Sequence, residues 1–145
     1  MLLTILIGLI TSCLLIPLGK YFRSSLSVLL ALVPAALFIF FASHIPEISE
    51  GRILYESKKW VPSLGINFDF RLDGLSLLFS LLITGIGSLI FVYASAYLKG
   101  HRYLDRFYGY LCLFMSAMLG VVLSDNILLL FIFWELTSIS SFFLI

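Results

Sequence analysis

Charge is what this sequence most lacks. Only 12% of its 145 residues are Asp, Glu, Lys or Arg, roughly half the usual share of about 25% in a soluble domain. Nine basic and eight acidic side chains nearly cancel, leaving +1 at neutral pH. No field of one sign exists to attract a nucleic acid, and disorder, which requires charge and little hydrophobicity, is excluded. Cysteine is scarce as well. Cys13 and Cys112 each sit inside a long apolar run, which rules out the disulfide framework of a small secreted domain. They read as small apolar packing residues. His44 and His101 have no second ligand close in sequence, so no metal site is expected. The sequence also lacks a Gly-rich phosphate loop, a nucleophile with its base and any cofactor motif, so no cofactor and no soluble-enzyme chemistry are expected.

What is present is hydrophobic. Apolar residues make up 61% of the chain and the mean hydropathy is +1.13. A soluble protein of this length has no interior large enough to hide that much apolar surface. The fold class is therefore an all-α integral membrane protein, with the lipid bilayer as its first partner.

A bilayer core about 30 Å thick needs about 20 helical residues to cross it. Five stretches approach that length: Leu2–Leu18, Leu26–Ala42, Leu75–Leu98, Phe107–Leu123 and Ile127–Ile145. The first is not a signal peptide, because its basic residues, Lys20 and Arg23, follow the apolar run instead of preceding it. The short loops Lys20–Ser25 and Lys99–Arg106 carry Lys20, Arg23, Lys99, Arg102 and Arg106. The excess of positive charge in short loops puts both on the cytoplasmic side. The N-terminus and the segment Ser43–Asp73 then face outward. Residues 1–145 form a single transmembrane region. Because Ser141–Ile145 ends in hydrophobic sequence with no basic anchor, the expectation is a piece of a longer protein.

The outward segment carries a pattern of its own. Asn67-Phe-Asp-Phe-Arg-Leu-Asp73 alternates polar and apolar residues, the period of a strand with one covered face. Arg52–Trp60 is β-prone, and Pro62-Ser-Leu-Gly65 between them has turn chemistry. An extracytoplasmic β-hairpin between the second and third spans is expected, with Trp60 as an interfacial anchor; an irregular loop is the alternative. Within the spans, Ser80, Thr84 and Ser88 recur at every fourth residue, and Ser116, Gly120 and Gly109 share a face. Small residues of this kind mark helix contacts in lipid. Pro34 should kink the second span, and Pro17 should help to end the first.

One ionisable residue falls at membrane depth. Glu135 lies about eight residues into its span, roughly 12 Å deep at 1.5 Å per residue. A charge there costs at least about 2.5 kcal/mol, so intramembrane carboxylates mark ion paths. Ser138 and Ser141 follow at three-residue steps and extend a polar stripe from Glu135. The alternative is a protonated carboxyl that hydrogen-bonds a neighbouring helix and serves packing. No Lys, Arg or His lies inside any span, so a cationic partner for Glu135 must come from elsewhere. Asp73 and Asp125 precede the third and fifth spans, and both are placed to cap helix N-termini.

Several runs carry a family resemblance: Trp60-Val-Pro-Ser-Leu-Gly-Ile66, Phe70-Arg-Leu-Asp-Gly-Leu-Ser76, Arg106-Phe-Tyr-Gly-Tyr110, Phe114-Met-Ser-Ala-Met-Leu-Gly120, Ser124-Asp-Asn126 and Phe133-Trp-Glu-Leu-Thr-Ser-Ile-Ser-Ser141. From Trp60 to Ile145 the chain resembles the N-terminal part of the A-type subunit of the Mrp-type multisubunit sodium/proton antiporter. More distantly it is similar to the antiporter-like membrane subunits of complex I and of membrane-bound hydrogenases. The resemblance implies a component of a hetero-oligomeric antiporter complex in the bacterial cell membrane, a secondary transporter and not an enzyme, exchanging Na+ and protons. It implies that the glutamate at position 135 belongs to a proton path and pairs with a lysine on a later helix. The alternatives are the same region of a proton-pumping NADH-quinone oxidoreductase or hydrogenase subunit, against which the Trp-Glu-Leu-Thr-Ser continuation argues, or a non-transporting helical fragment.

Overall fold

The computed structural model describes residues 1–18, 30–61, 66–97 and 104–145. The Lys20–Ser25 loop, the Pro62–Gly65 turn, His101 and most of the Lys99–Arg106 loop lie outside them. The described elements are α1 (Leu2–Leu18), α2 (Leu32–Ser43), α3 (Ile45–Ser49), β1 (Leu54–Val61), β2 (Ile66–Leu72), α4 (Gly74–Tyr97), α5 (Leu104–Leu123) and α6 (Ile127–Leu144). Four stretches are long and apolar enough to cross a membrane: Leu32–Ser49, Gly74–Tyr97, Arg106–Leu123 and Ile127–Leu144, while α1 is a shorter apolar helix.

Pro34 lies beside an interruption in the helix of the second span. It falls in the first turn of α2, and helical hydrogen bonding is interrupted at Ala31, three residues earlier. The missing proline N–H accounts for the break, since it would have bonded the carbonyl four residues back. Ala31 itself keeps helical dihedrals of −65° and −19°. Beyond α3, Gly51, at φ +81°, takes the left-handed conformation that turns the chain toward β1.

α5 is the central pole, packed against α1, α4 and α6. In lipid no hydrophobic drive pushes helices together, so close approach decides where they meet. Gly8 of α1 lies against the Ser116 hydroxyl of α5, and Gly120 of α5 lies under the Phe133 ring of α6; a Cβ at either glycine would collide with that side chain. A Cβ on Gly87 of α4 would stand 3.1 Å from the Met115 sulfur. Ser12 Oγ adds a buried interhelical hydrogen bond, donating to the Gly109 carbonyl at 2.8 Å. On α4, Ser80 and Thr84 are fully buried and Ser88 is half-buried.

The antiparallel hairpin pairs Leu54 with Leu72, Glu56 with Phe70 and Lys58 with Phe68, with a bulge between Lys59 and Val61 that leaves Trp60 as the extra residue. Directly opposed residues share a face, so Leu54 and Glu56 lie on the same side as Phe68, Phe70 and Leu72. Phe70 and Leu72 are buried in one cluster with Phe41, Leu77, Leu123 and Phe133. The hairpin is thus a lid over one end of the core. Trp60 stacks on Phe68 with ring centroids 4.8 Å apart. Glu56 is the one acid on the covered side, and its Oε2 accepts from the Met1 amine at 2.7 Å and from the Leu2 N–H at 3.1 Å. The ammonium hydrogen bond holds the Glu56 carboxyl below the usual carboxylate range, against an opposing effect of burial.

The Gly120–Phe133 contact yields a direct test. Gly120→Ala forces the ring away and should destabilise the helix bundle by about 1–3 kcal/mol, the usual cost of overpacking. The thermal midpoint in detergent reads this, and adding Phe133→Leu to Gly120→Ala should recover part of the loss.

Candidate functional site

The position of Glu135 follows from how α6 is seated. Asn126 caps the helix, its side chain accepting from the Leu128 N–H at 2.9 Å. Leu129, Phe133 and Ser140 are buried, which fixes the rotation of α6 against α5. Glu135 is turned to the opposite side and is exposed. It makes no hydrogen bond or ion pair with any described residue. From Ile127 it is about 12 Å along the helix, near the middle of a bilayer core.

Phe131, Ser138 and Phe142 share that open side, at the spacing of one helix face. Ser138 Oγ donates to the Trp134 carbonyl at 3.4 Å. Ser141 is half-buried, and the fully buried hydroxyl is that of Ser140, which donates to the Thr137 carbonyl at 3.0 Å. Glu135 and Ser138 therefore stand together on the uncovered surface, while Ser141 turns toward the bundle.

A second polar cluster lies at the hairpin end, where Arg71, Asp73, Ser76, Ser124, Asp125 and Asn126 line a cavity of about 410 Å³. Asp73 sits at the N-terminus of α4. Its Oδ1 accepts from the Ser76 N–H at 2.9 Å, and the Ser76 hydroxyl accepts from the Asp73 N–H at 2.7 Å, a reciprocal cap. The Ser76 backbone hydrogen bond, and then Arg71 at 2.6 Å, hold the Asp73 carboxyl below the usual carboxylate range.

Asp125 departs from expectation. The cap of α6 is Asn126, not Asp125. The Asp125 N–H instead donates to the Asp69 carbonyl at 2.9 Å, and its carboxylate lies 3.6 Å from Arg71. A β-bridge joins Phe70 to Ser124 beside it. The α5–α6 turn is therefore stitched to the hairpin edge, which uses up the backbone geometry a cap at Asp125 would need. Asn126 stands directly before the apolar run, and that signal would have identified it. Arg71 joins Asp73 and Asp125, a tie invisible in the sequence because it depends on the strand register.

Among the described residues, the long apolar helices and the hairpin packed over one end of their core define a multi-pass membrane protein. Residues 60–108 match the family model described as NADH-ubiquinone oxidoreductase (complex I), chain 5 N-terminus. The chain is 57% identical over 113 residues to the A1 subunit of the Na(+)/H(+) antiporter of Staphylococcus haemolyticus, an alignment covering 78% of this chain and 14% of that protein. It is 54% identical over 113 residues to the corresponding protein of Staphylococcus aureus strain JH9, with the same coverage. Among solved structures, the Mrp complex from Dietzia sp. aligns over 97% of this chain and 15% of that one, with a TM-score of 0.82 and 30% identity. An archaeal membrane-bound sulfane sulfur reductase shares the fold, with a TM-score of 0.72 at 21% identity over 97% of this chain and 28% of that one. The chain is a homologue of the A-type subunit of Mrp-type Na+/H+ antiporters, and it spans about a seventh of the length of the curated relatives it matches.

The cap at Asp73 predicts a pH dependence. A carboxyl whose folded pKa lies below its unfolded value contributes stability above the unfolded pKa, and that stability is lost as pH falls through the folded pKa. Melting from pH 6 to pH 3 should therefore show a loss below the usual carboxylate range. Asp73→Asn, which keeps a capping oxygen, should flatten it. Asp73→Ala should cost about 1 kcal/mol at neutral pH.

Proposed function

We propose that this chain works as the N-terminal region of the membrane subunit of a cation/proton antiporter, with Glu135 contributing to a proton path. The observation that carries the reading is the 57% identity to the A1 subunit of the Na(+)/H(+) antiporter over 113 residues. The placement of Glu135 supports it. A carboxylate that faced lipid alone at mid-bilayer would meet a severe desolvation cost, so protein or water must cover the face that carries it. In this reading further helices and neighbouring subunits of a hetero-oligomeric complex supply that cover and the cation that Glu135 lacks.

The mechanism follows from coupling. A cation approaching Glu135 favours its ionised form, and withdrawal of that cation favours proton uptake. The two protonation steps then belong to the pair and not to either residue. Ser138, on the same face, extends the polar line by one turn, while Ser141 is half-buried and lies off that face. Sodium and protons are the transported ions of the proposal. The bacterial cell membrane is the site, with the N-terminus and the hairpin outside.

A second reading has a specific observation behind it, since the matching family model is described from complex I. In that reading the same carboxylate serves a redox-driven proton pump. Sodium-dependent antiport by the assembled complex, without quinone or electron donor, separates the two.

The test of the proton path is Glu135→Gln in the assembled complex, reconstituted in vesicles. Antiport should fall at least about tenfold, which corresponds to about 1.4 kcal/mol in the barrier, while membrane insertion and assembly remain intact. A near-native rate with an unchanged pH profile would leave Glu135 a packing residue. Topology has its own check. Single cysteines at Ser57 and Ser24, in a background without Cys13 and Cys112, should react with an impermeant thiol reagent from opposite sides; labelling from one side only would refute the orientation.

A further inference from the structure

Three links join the approach to α6 to the hairpin, and they differ in kind. Phe70 pairs with Ser124 in a β-bridge, and the Asp125 N–H donates to the Asp69 carbonyl at 2.9 Å. Both are backbone links to neighbouring residues on one edge of β2, so together they act as a hinge along that edge. The third link is made by a side chain. The Arg71 guanidinium places one nitrogen 2.6 Å from the Asp73 carboxylate and another 3.6 Å from the Asp125 carboxylate. Asp73 is itself held by its reciprocal cap with Ser76 at the start of α4. Arg71 therefore reaches off the hinge line and joins the start of α6 to the start of α4. Below that level α6 is packed along α5, with no comparable seam to α4 among the described residues. The cavity of about 410 Å³ separates the two helix starts, with Leu75 and Phe79 on one side and Ile127 and Leu130 on the other.

We infer that Arg71 is a positioning residue for Glu135: by bridging Asp73 and Asp125 it sets how α6 stands against α4, and so where the mid-span carboxylate is held. The inference rests on the proton-path reading of Glu135. Asp125 leads into α6 through the Asn126 cap, and a helix passes a displacement of its first turn along its length as a rigid element. The buried side chains of Leu129 and Phe133 decide which way α6 faces, whereas the Arg71 bridge decides how far its outer end lies from α4. Arginine suits this role, because its planar fork can meet two carboxylates at once where a lysine offers a single point of charge. The bridge is half-exposed, with the Arg71 side chain 44% accessible, so it contributes little to global stability. Its effect is on geometry. Proton transfer is sensitive to such geometry, since a small misplacement of the reacting groups lowers the rate steeply.

A double-mutant cycle in the assembled complex tests this, with Arg71→Gln, Asp125→Asn and the two together. Spin labels on cysteines replacing Leu89 of α4 and Ile127 of α6, both exposed, read the distance between the helices in a background without Cys13 and Cys112. Each single variant should lengthen or broaden that distance and lower antiport at least about threefold. The double variant should match the singles, because both substitutions cut one tie. The thermal midpoint should stay close to that of the wild type throughout. Unchanged distances in both single variants would overturn the inference. So would losses that add in the double variant, or a changed distance with antiport at the wild-type rate. Failure of the proton-path reading looks different, since Glu135→Gln would then transport normally while the label distance still responded to Arg71→Gln.

Discussion

The close approach of α5 to its neighbours is the constraint on which the rest of this structure depends. A soluble bundle is drawn together by water leaving apolar surface, but lipid tails supply no such drive. What remains is van der Waals fit, and fit requires that backbones come near. Gly8 against Ser116, Gly120 under Phe133 and Gly87 beside Met115 bring three helices onto one pole. The buried Ser12–Gly109 hydrogen bond then fixes α1 in register. Seating Phe133 over Gly120 also determines which way α6 faces. The carboxylate two residues later is turned away from the bundle as a geometric consequence of that contact.

The hairpin end repeats the logic with polar groups. Phe70 and Leu72 plug the helix ends, and the opposite side of the same strand carries Arg71 between Asp73 and Asp125. One strand thus closes the core and ties together the start of α4 and the turn before α6. Glu56, set among apolar neighbours on the covered side, is tolerated because the start of α1 supplies its hydrogen-bond donors. The hairpin is a brace across α1, α4 and the α5–α6 turn.

Much of this is readable from residue order, for identifiable reasons. Strand β2 announces itself because alternation of Phe68, Phe70 and Leu72 with Asn67, Asp69 and Arg71 has no helical reading. The spans are readable because length and hydropathy are bulk properties. Boundaries and partners are harder. Asp125 and Asn126 are both good caps, and only the bond from the Asp125 N–H to Asp69 chooses between them. Ser116 and Gly120 look like one contact face, yet they serve different helices, α1 and α6, since four residues of helix carry a rotation of about 40° between them. Glu135 stands out as the lone mid-span acid, but its outward direction needs the packing of Phe133.

The two uncovered surfaces of the bundle differ in chemistry, and the functional reading rests on that difference. α4 exposes Leu82, Ile86 and Leu89, while α6 exposes Glu135 and Ser138. The most direct measurement is water access in the assembled complex. Single cysteines replacing Glu135, Ser138 and Leu89, in a background without Cys13 and Cys112, are exposed to a small charged thiol reagent in native membranes. The account predicts reaction at 135 and 138 and none at 89. Protection of all three positions, or equal reaction at 89, would contradict a hydrated path along α6.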